Sequence, residues 1–125
     1  MTEVVHRLPS GLTVAVEPMT STRTASIGVW IGVGARDEPD SIAGVSHFLE
    51  HLLFKGTDRR TAQEISRGVD RLGGDFNAFT AREYTAYYCR LPARHALFAA
   101  DLLGEVLCHP ALRDEDMDCE RLVIL

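Results

Sequence analysis

Two histidines and a glutamate stand in the order His-x-x-Glu-His, as His47, Glu50 and His51. Residues four apart on a helix share one face about a turn apart, so the two imidazoles can reach a single metal ion. Neutral imidazole suits zinc, and a neighbouring carboxylate can take a proton from a water that attacks a carbonyl. The motif predicts His47 and His51 as Zn²⁺ ligands and Glu50 as the base that activates a zinc-bound water. From these residues alone, the alternative is the solvated face of a surface helix.

The surrounding residues predict the helix that this motif needs. Apolar side chains recur at spacings of three and four, and the pattern stops at Gly56, which is typical of a helix end. On a helix these residues gather opposite the motif, so one face packs into a core and the other presents the three polar side chains. The apolar residues are Val45, Phe48, Leu49, Leu52 and Leu53.

Two strands are predicted before this helix. Alternation of apolar and polar residues indicates a half-buried strand at 12–17 and a clearer strand at 25–33. Because Gly28 and Gly32 lie on one face of the second strand, another element can approach it closely, and we expect a central strand covered on both sides. The two strands are expected to pair with each other as a hairpin.

The second half of the chain reads as helix, hairpin, helix, helix. A capping-box spacing at its start predicts a helix at 61–72, ended by two glycines. Strands at 75–80 and 84–91 are expected to form a hairpin. A third helix should run over 92–108, and a fourth should begin near Asp114.

Charge and hydropathy exclude several classes of partner. The formal net charge is −5, and the only adjacent basic pair is Arg59-Arg60, so we expect no nucleic-acid partner. No apolar stretch approaches the roughly 20 residues of a membrane helix, so we expect no membrane partner. The N-terminal sequence has no signal or transit pattern, which favours a cytoplasmic protein.

The cysteines give no sign of a disulfide framework. Cys89, Cys108 and Cys119 are odd in number and contain no Cys-x-x-Cys pair, which also argues against a thiolate zinc knuckle. A reducing compartment fits this pattern. We expect at least two of the three to be small buried apolar residues.

The motif and the segments after it resemble the N-terminal part of the pitrilysin family of zinc metallopeptidases, the inverzincins, which includes insulin-degrading enzyme and mitochondrial processing peptidase. The likeness is carried in order by His-Phe-Leu-Glu-His at 47–51, Gly-Gly-Asp-Phe-Asn-Ala-Phe-Thr at 73–80 and Glu-Tyr-Thr-Ala-Tyr-Tyr at 83–88. It extends over nearly the whole chain. The resemblance implies an α+β fold with a mainly antiparallel sheet backed by helices. It also implies a zinc-dependent endopeptidase that hydrolyses peptide bonds in short or unfolded peptides.

The resemblance assigns further residues to the site. Glu120 corresponds to a glutamate behind the metal ligands that helps to orient them, the alternative being a solvated helix residue. Asn77 and Ala78 correspond to an edge strand that pairs with extended peptide substrate through main-chain hydrogen bonds. The third zinc ligand of the family is a glutamate about two helical turns, or roughly seven residues, beyond Glu120, and therefore past Leu125.

The same resemblance implies that residues 1–125 are the N-terminal part of a catalytic domain. The apolar run of the fourth helix is still in progress at Leu125, so we expect truncation within that helix. The complete protein would then contain a second homologous domain or subunit.

Two alternatives stay open at this point. A metal-dependent S-ribosylhomocysteine lyase has a related fold and the same His-x-x-Glu-His order with a cysteine as third ligand, a role that Cys119 could fill. A non-catalytic substrate-binding or structural subunit would keep the fold and lack a metal residue. Retention of both histidines and of Glu50 weighs against that second role.

The 125 residues alone are expected to bind metal weakly and to cleave no peptide, because two histidines leave a catalytic zinc site one ligand short. Elemental analysis and cleavage of a quenched peptide check this. Tight stoichiometric zinc would contradict it, unless Cys119 were shown to coordinate the ion.

Overall fold

The structure is a computed structural model, and it describes residues 2–124. These residues form antiparallel strands and helices. The strands are β1 (Val4–Arg7), β2 (Thr13–Val16), β3 (Thr24–Ile31), β4 (Asp75–Thr80) and β5 (Thr85–Pro92). The helices are α1 (Val45–Leu53), α2 (Ala62–Arg71), α3 (Ala96–Cys108) and α4 (Asp114–Ile124). This is the α+β class with antiparallel sheets that the sequence predicts.

The central strand is β5, which lies between β3 and β4 in an antiparallel sheet. One face of β5 is nearly inaccessible and carries Tyr87, Cys89 and Leu91 in the core, and α3 packs against the strand. Full burial of a leucine contributes about 1.5–3 kcal/mol, so each leucine in this layer contact stabilises the fold. The core side chains include Tyr87, Cys89, Leu91, Leu102, Leu103 and Val106.

The first predicted hairpin is wrong. β2 pairs with β1, with Val4 opposite Val16, whereas β3 pairs with β5. All residues of β1 and β2 are exposed, so the expectation of a half-buried strand at 12–17 is also wrong. Alternation predicts that a segment is extended, but it does not identify the strand with which the segment pairs.

The predicted central position of the strand at 25–33 is wrong as well. Within residues 2–124, β3 pairs with β5 alone, which places it at the end of the sheet. Its small residue Gly28 accommodates the ring of Trp30, since a Cβ at Gly28 would lie 2.5 Å from that ring. The indole of Trp30, which is 63% exposed, therefore covers the face of β3 on which we expected another element to pack.

The predicted helices and the second hairpin are confirmed, except that the third helix begins at Ala96 and not at Pro92, which ends β5. Thr61 and Glu64 form the capping box of α2, and the chain leaves that helix at Gly73, whose φ of 72° favours glycine. α1 and α4 begin where the sequence predicts. None of the helices within residues 2–124 combines the length and apolar character needed to cross a membrane.

The prediction for the cysteines is wrong, because only Cys89 is buried. Cys89 points from β5 into the core, where burial raises the pKa of its thiol. Cys108 ends α3 and Cys119 lies on the outer side of α4, and both are exposed.

The loop between α1 and α2 is fixed by a buried threonine. Thr57 is 1% exposed, and its hydroxyl donates to Glu105 of α3 at 2.6 Å. The same oxygen accepts the backbone N–H groups of Arg59 and Arg60, and the Arg60 guanidinium also bonds Glu105. This cluster ties the end of α1 to α3.

Thr57→Val keeps the shape of the side chain but removes its hydroxyl, so a buried carboxylate and two backbone N–H groups lose a hydrogen-bond partner. The free energy of unfolding should fall by about 2–4 kcal/mol. Thr13→Val on the exposed strand β2 is the matched control and should change stability by less than about 0.5 kcal/mol. Urea unfolding measures both. Equal small effects would contradict the assigned role of Thr57.

Candidate metal and catalytic site

Helix α1 presents the His-x-x-Glu-His residues on its outer face. Its inner face is anchored by Leu52 and Leu53, which are buried. The prediction that Leu49 also faces the core is wrong, because Leu49 is 42% exposed. At the start of α1, Glu38 accepts hydrogen bonds from the backbone N–H groups of Gly44 and Ser46. Hydrogen bonds from Ser46 and Gly44 hold the pKa of Glu38 below its usual value, so its carboxylate caps the free end of the helix.

The two histidine rings face each other across one turn of α1. The Nε2 atoms of His47 and His51 are 3.0 Å apart, and the ring planes are inclined by 84°. Two nitrogens bound to one tetrahedral zinc, at bond lengths of about 2.0–2.1 Å, lie about 3.3 Å apart. The separation and the convergence of the two rings therefore fit imidazoles that share one ion.

Glu120 of α4 stands behind His51. Its side chain is only 6% exposed, and one carboxylate oxygen, Oε2, lies 3.0 Å from Nδ1 of His51. The other oxygen, Oε1, accepts from Nζ of Lys55 at 2.5 Å. Hydrogen bonding to Lys55 lowers the pKa of Glu120 even though burial acts in the opposite direction.

This arrangement selects one tautomer of His51. An ionised carboxylate can only accept hydrogen bonds, so the proton between Glu120 and His51 belongs to Nδ1. The neutral ring then carries its lone pair on Nε2, the atom that faces His47. Metal-ligating histidines commonly donate their second nitrogen to a carboxylate in this way.

Glu50 is held from the sheet. The hydroxyl of Thr80, the last residue of β4, donates to Oε2 of Glu50 at 2.5 Å. Glu50 is half-buried beside the histidines on α1. The contact fixes one carboxylate oxygen and sets the position of α1 against β4.

Asn77 and Ala78 lie in the middle of β4, which pairs on one side with β5 and has no strand on its other side within residues 2–124. Asn77 is exposed, and its side-chain oxygen accepts the backbone N–H of Ala78 at 2.9 Å. That N–H group is therefore satisfied by a side chain and not by a neighbouring strand.

The structure brings together four of the six residues predicted for the site, and it adds three others. His47, Glu50, His51 and Glu120 form one cluster, and β4 adjoins it through Thr80. We did not assign Glu38, Lys55 or Thr80 to the site from the sequence. The only local signal was that Lys55 follows His51 by four residues, the spacing that places both on one face of a helix.

The described residues do not supply a full ligand set. Within 2–124, no three His, Cys, Asp or Glu side chains are arranged to hold one metal ion. The exposed thiol of Cys119 therefore does not complete a set with the two histidines, as the lyase alternative requires.

Comparison with known proteins decides the family. The model of insulinase, peptidase family M16, matches residues 13–125. The chain belongs to the M16 family. This agrees with the resemblance to pitrilysin-type peptidases seen in the sequence.

M16 relatives extend well beyond the present chain. It is 47% identical over 118 residues to an uncharacterized zinc protease of Mycobacterium leprae, covering 94% of this chain and 26% of the relative. It is 44% identical over 121 residues to the mitochondrial-processing peptidase subunit beta of Blastocladiella emersonii, covering 97% of this chain and 26% of that protein. The crystal structure of a Helicobacter pylori protease superposes with a TM-score of 0.92 at 30% identity, over 98% of this chain and 29% of the other. The chain thus spans about a quarter of the length of these proteins.

The phenol of Tyr87 gives a pH test of the buried face of β5. Burial, and secondarily the charge of Glu50, raise the pKa of Tyr87 to about 12. The ordinary value in an unfolded chain is about 10, so the folded protein should lose stability as pH rises from about 10 to about 12 and be insensitive to this group at lower pH.

Tyr87→Phe should remove this part of the pH dependence, as measured by urea unfolding at several pH values above 9. Tyr84→Phe, at a 39% exposed ring, is the control and should keep it. The same pH slope in Tyr87→Phe and in the unsubstituted protein would contradict the prediction.

Proposed function

We propose that the protein containing this chain is a zinc-dependent endopeptidase, with His47 and His51 as two metal ligands and Glu50 as the catalytic base. The observation that carries this proposal is the pair of Nε2 atoms 3.0 Å apart, with the carboxylate of Glu120 fixing one of the rings from behind. Membership of the M16 family supports it.

The proton chemistry is assigned to Glu50. Thr80 occupies Oε2 of that carboxylate, so Oε1 is the atom left to take a proton from the attacking water. The same oxygen can then deliver the proton to the nitrogen of the departing amine. A zinc ion, when bound, supplies Lewis-acid polarisation of the scissile carbonyl and lowers the pKa of a coordinated water.

Peptide binding is assigned to the free edge of β4. An extended peptide that adds a strand there would accept a hydrogen bond from the N–H of Ala78, and its carbonyl would replace the Asn77 side-chain oxygen as the acceptor. Main-chain pairing requires that the bound segment be extended, but it places few demands on the side chains of that segment. The substrates are therefore short or unstructured peptides. Because Thr80 ends the same strand, the peptide would run toward Glu50.

The third ligand and the remaining enclosure of the site are assigned to the longer protein. A catalytic zinc uses three protein ligands, and two are found here. Since the M16 relatives are about four times as long as this chain, we place a glutamate ligand beyond Leu125 and a second homologous domain or subunit opposite the site.

Glu50→Gln should abolish peptide cleavage and leave zinc bound, because the amide cannot take the proton but the two histidines are unchanged. Glu83→Gln, an exposed glutamate paired with Arg36, is the matched control and should keep full activity. Turnover of a quenched peptide and zinc content by elemental analysis are measured on the full-length protein. Zinc loss from Glu50→Gln, or its undiminished cleavage, would refute the assignment of the base.

A further inference from the structure

We infer that Lys55 is a positioning residue for the metal site, acting through Glu120 to hold His51 in its ligand orientation. This inference rests on the proposed function. Lys55 would contact neither metal nor substrate.

The geometry divides the two oxygens of Glu120 between two partners. Nζ of Lys55 holds Oε1 at 2.5 Å, and Oε2 remains for Nδ1 of His51 at 3.0 Å. His51 lies in the last turn of α1, Lys55 lies two residues past the end of that helix, and Glu120 comes from α4. Because Lys55 fixes one oxygen of Glu120, the plane of that carboxylate is set. The direction from which its other oxygen accepts the hydrogen bond of the His51 N–H is set as well.

Charge explains why a lysine is needed here. A carboxylate with 6% exposure is costly unless it is both paired and hydrogen-bonded. His51 supplies a hydrogen bond but, as a metal ligand, no positive charge. Within residues 2–124, Lys55 is the cation that contacts Glu120, so it keeps the buried carboxylate in place behind the imidazole.

The contact is more than a tether between two helices. Helices α1 and α4 also contact each other through residues of their own, whereas Lys55 lies beyond the end of α1. A simple tether would affect unfolding but would not alter zinc affinity of the folded protein. Partners behind a ligand commonly change metal affinity by about 10- to 100-fold when removed. Metal affinity therefore distinguishes the two roles.

The test compares Lys55→Met, Lys55→Arg and Arg36→Met in the full-length protein. Methionine keeps the apolar stem and removes the charge, arginine keeps the charge, and Arg36→Met removes a different ion pair, that with Glu83. Zinc dissociation constants are measured by competition with a chromophoric chelator, and the Co²⁺-substituted absorption spectrum reports ligand geometry.

Lys55→Met should bind zinc about 10- to 100-fold more weakly and show an altered Co²⁺ spectrum. Lys55→Arg should stay within a few-fold of the unsubstituted protein, and Arg36→Met should be unchanged. If Lys55→Met does not fold, Lys55→Gln, which keeps a donor for Glu120 without the charge, takes its place with the same expectation.

Unchanged zinc affinity in Lys55→Met (or in Lys55→Gln where it takes its place), with the unsubstituted protein binding zinc and cleaving peptide, would overturn this inference and leave the proposed function standing. Absence of zinc binding by the unsubstituted protein would overturn both. The two failures are thus distinguished by the unsubstituted protein alone.

Discussion

The buried carboxylate of Glu120 is the contact on which the site depends. It joins two helices that are far apart in sequence, and it receives hydrogen bonds from an imidazole and an ammonium at the same time. Because the carboxylate is ionised, it assigns the proton of His51 to Nδ1 and leaves Nε2 free on the outer face. The site is therefore organised from behind as much as from the residues that face solvent.

The remaining contacts restrain α1 in the other directions. Glu38 caps its first turn, Leu52 and Leu53 hold its inner face, and Thr80 connects Glu50 to the end of β4. The loop that follows is pinned to α3 through Thr57 and Glu105. A short helix of nine residues is marginal by itself, so these tertiary contacts are what give the two rings a defined separation.

Local sequence signals predicted what local geometry determines. The spacing of His47 and His51, the capping box of α2 and the β4–β5 hairpin each depend on residues that are near one another in the chain, and each is found. Strand partnership was beyond these signals: β5 joins β3 across more than fifty residues, and no pattern in either segment encodes that choice.

The same limit explains the residues missed at the site. Lys55 and Glu120 are separated by 65 positions, and a lysine after a helix ordinarily reads as a solvated end. Glu38 caps α1 from outside the usual capping spacing. The cysteines show the converse error, since their residue type suggested that at least two of the three are buried, whereas Cys108 and Cys119 are exposed.

A crystal structure of the full-length protein grown with zinc tests the central claim most directly. The account predicts one ion bound by Nε2 of His47 and Nε2 of His51 at about 2.0–2.1 Å, with Glu120 still accepting from Nδ1 of His51. An ion bound elsewhere, or two imidazole rings turned away from a common point, would contradict it.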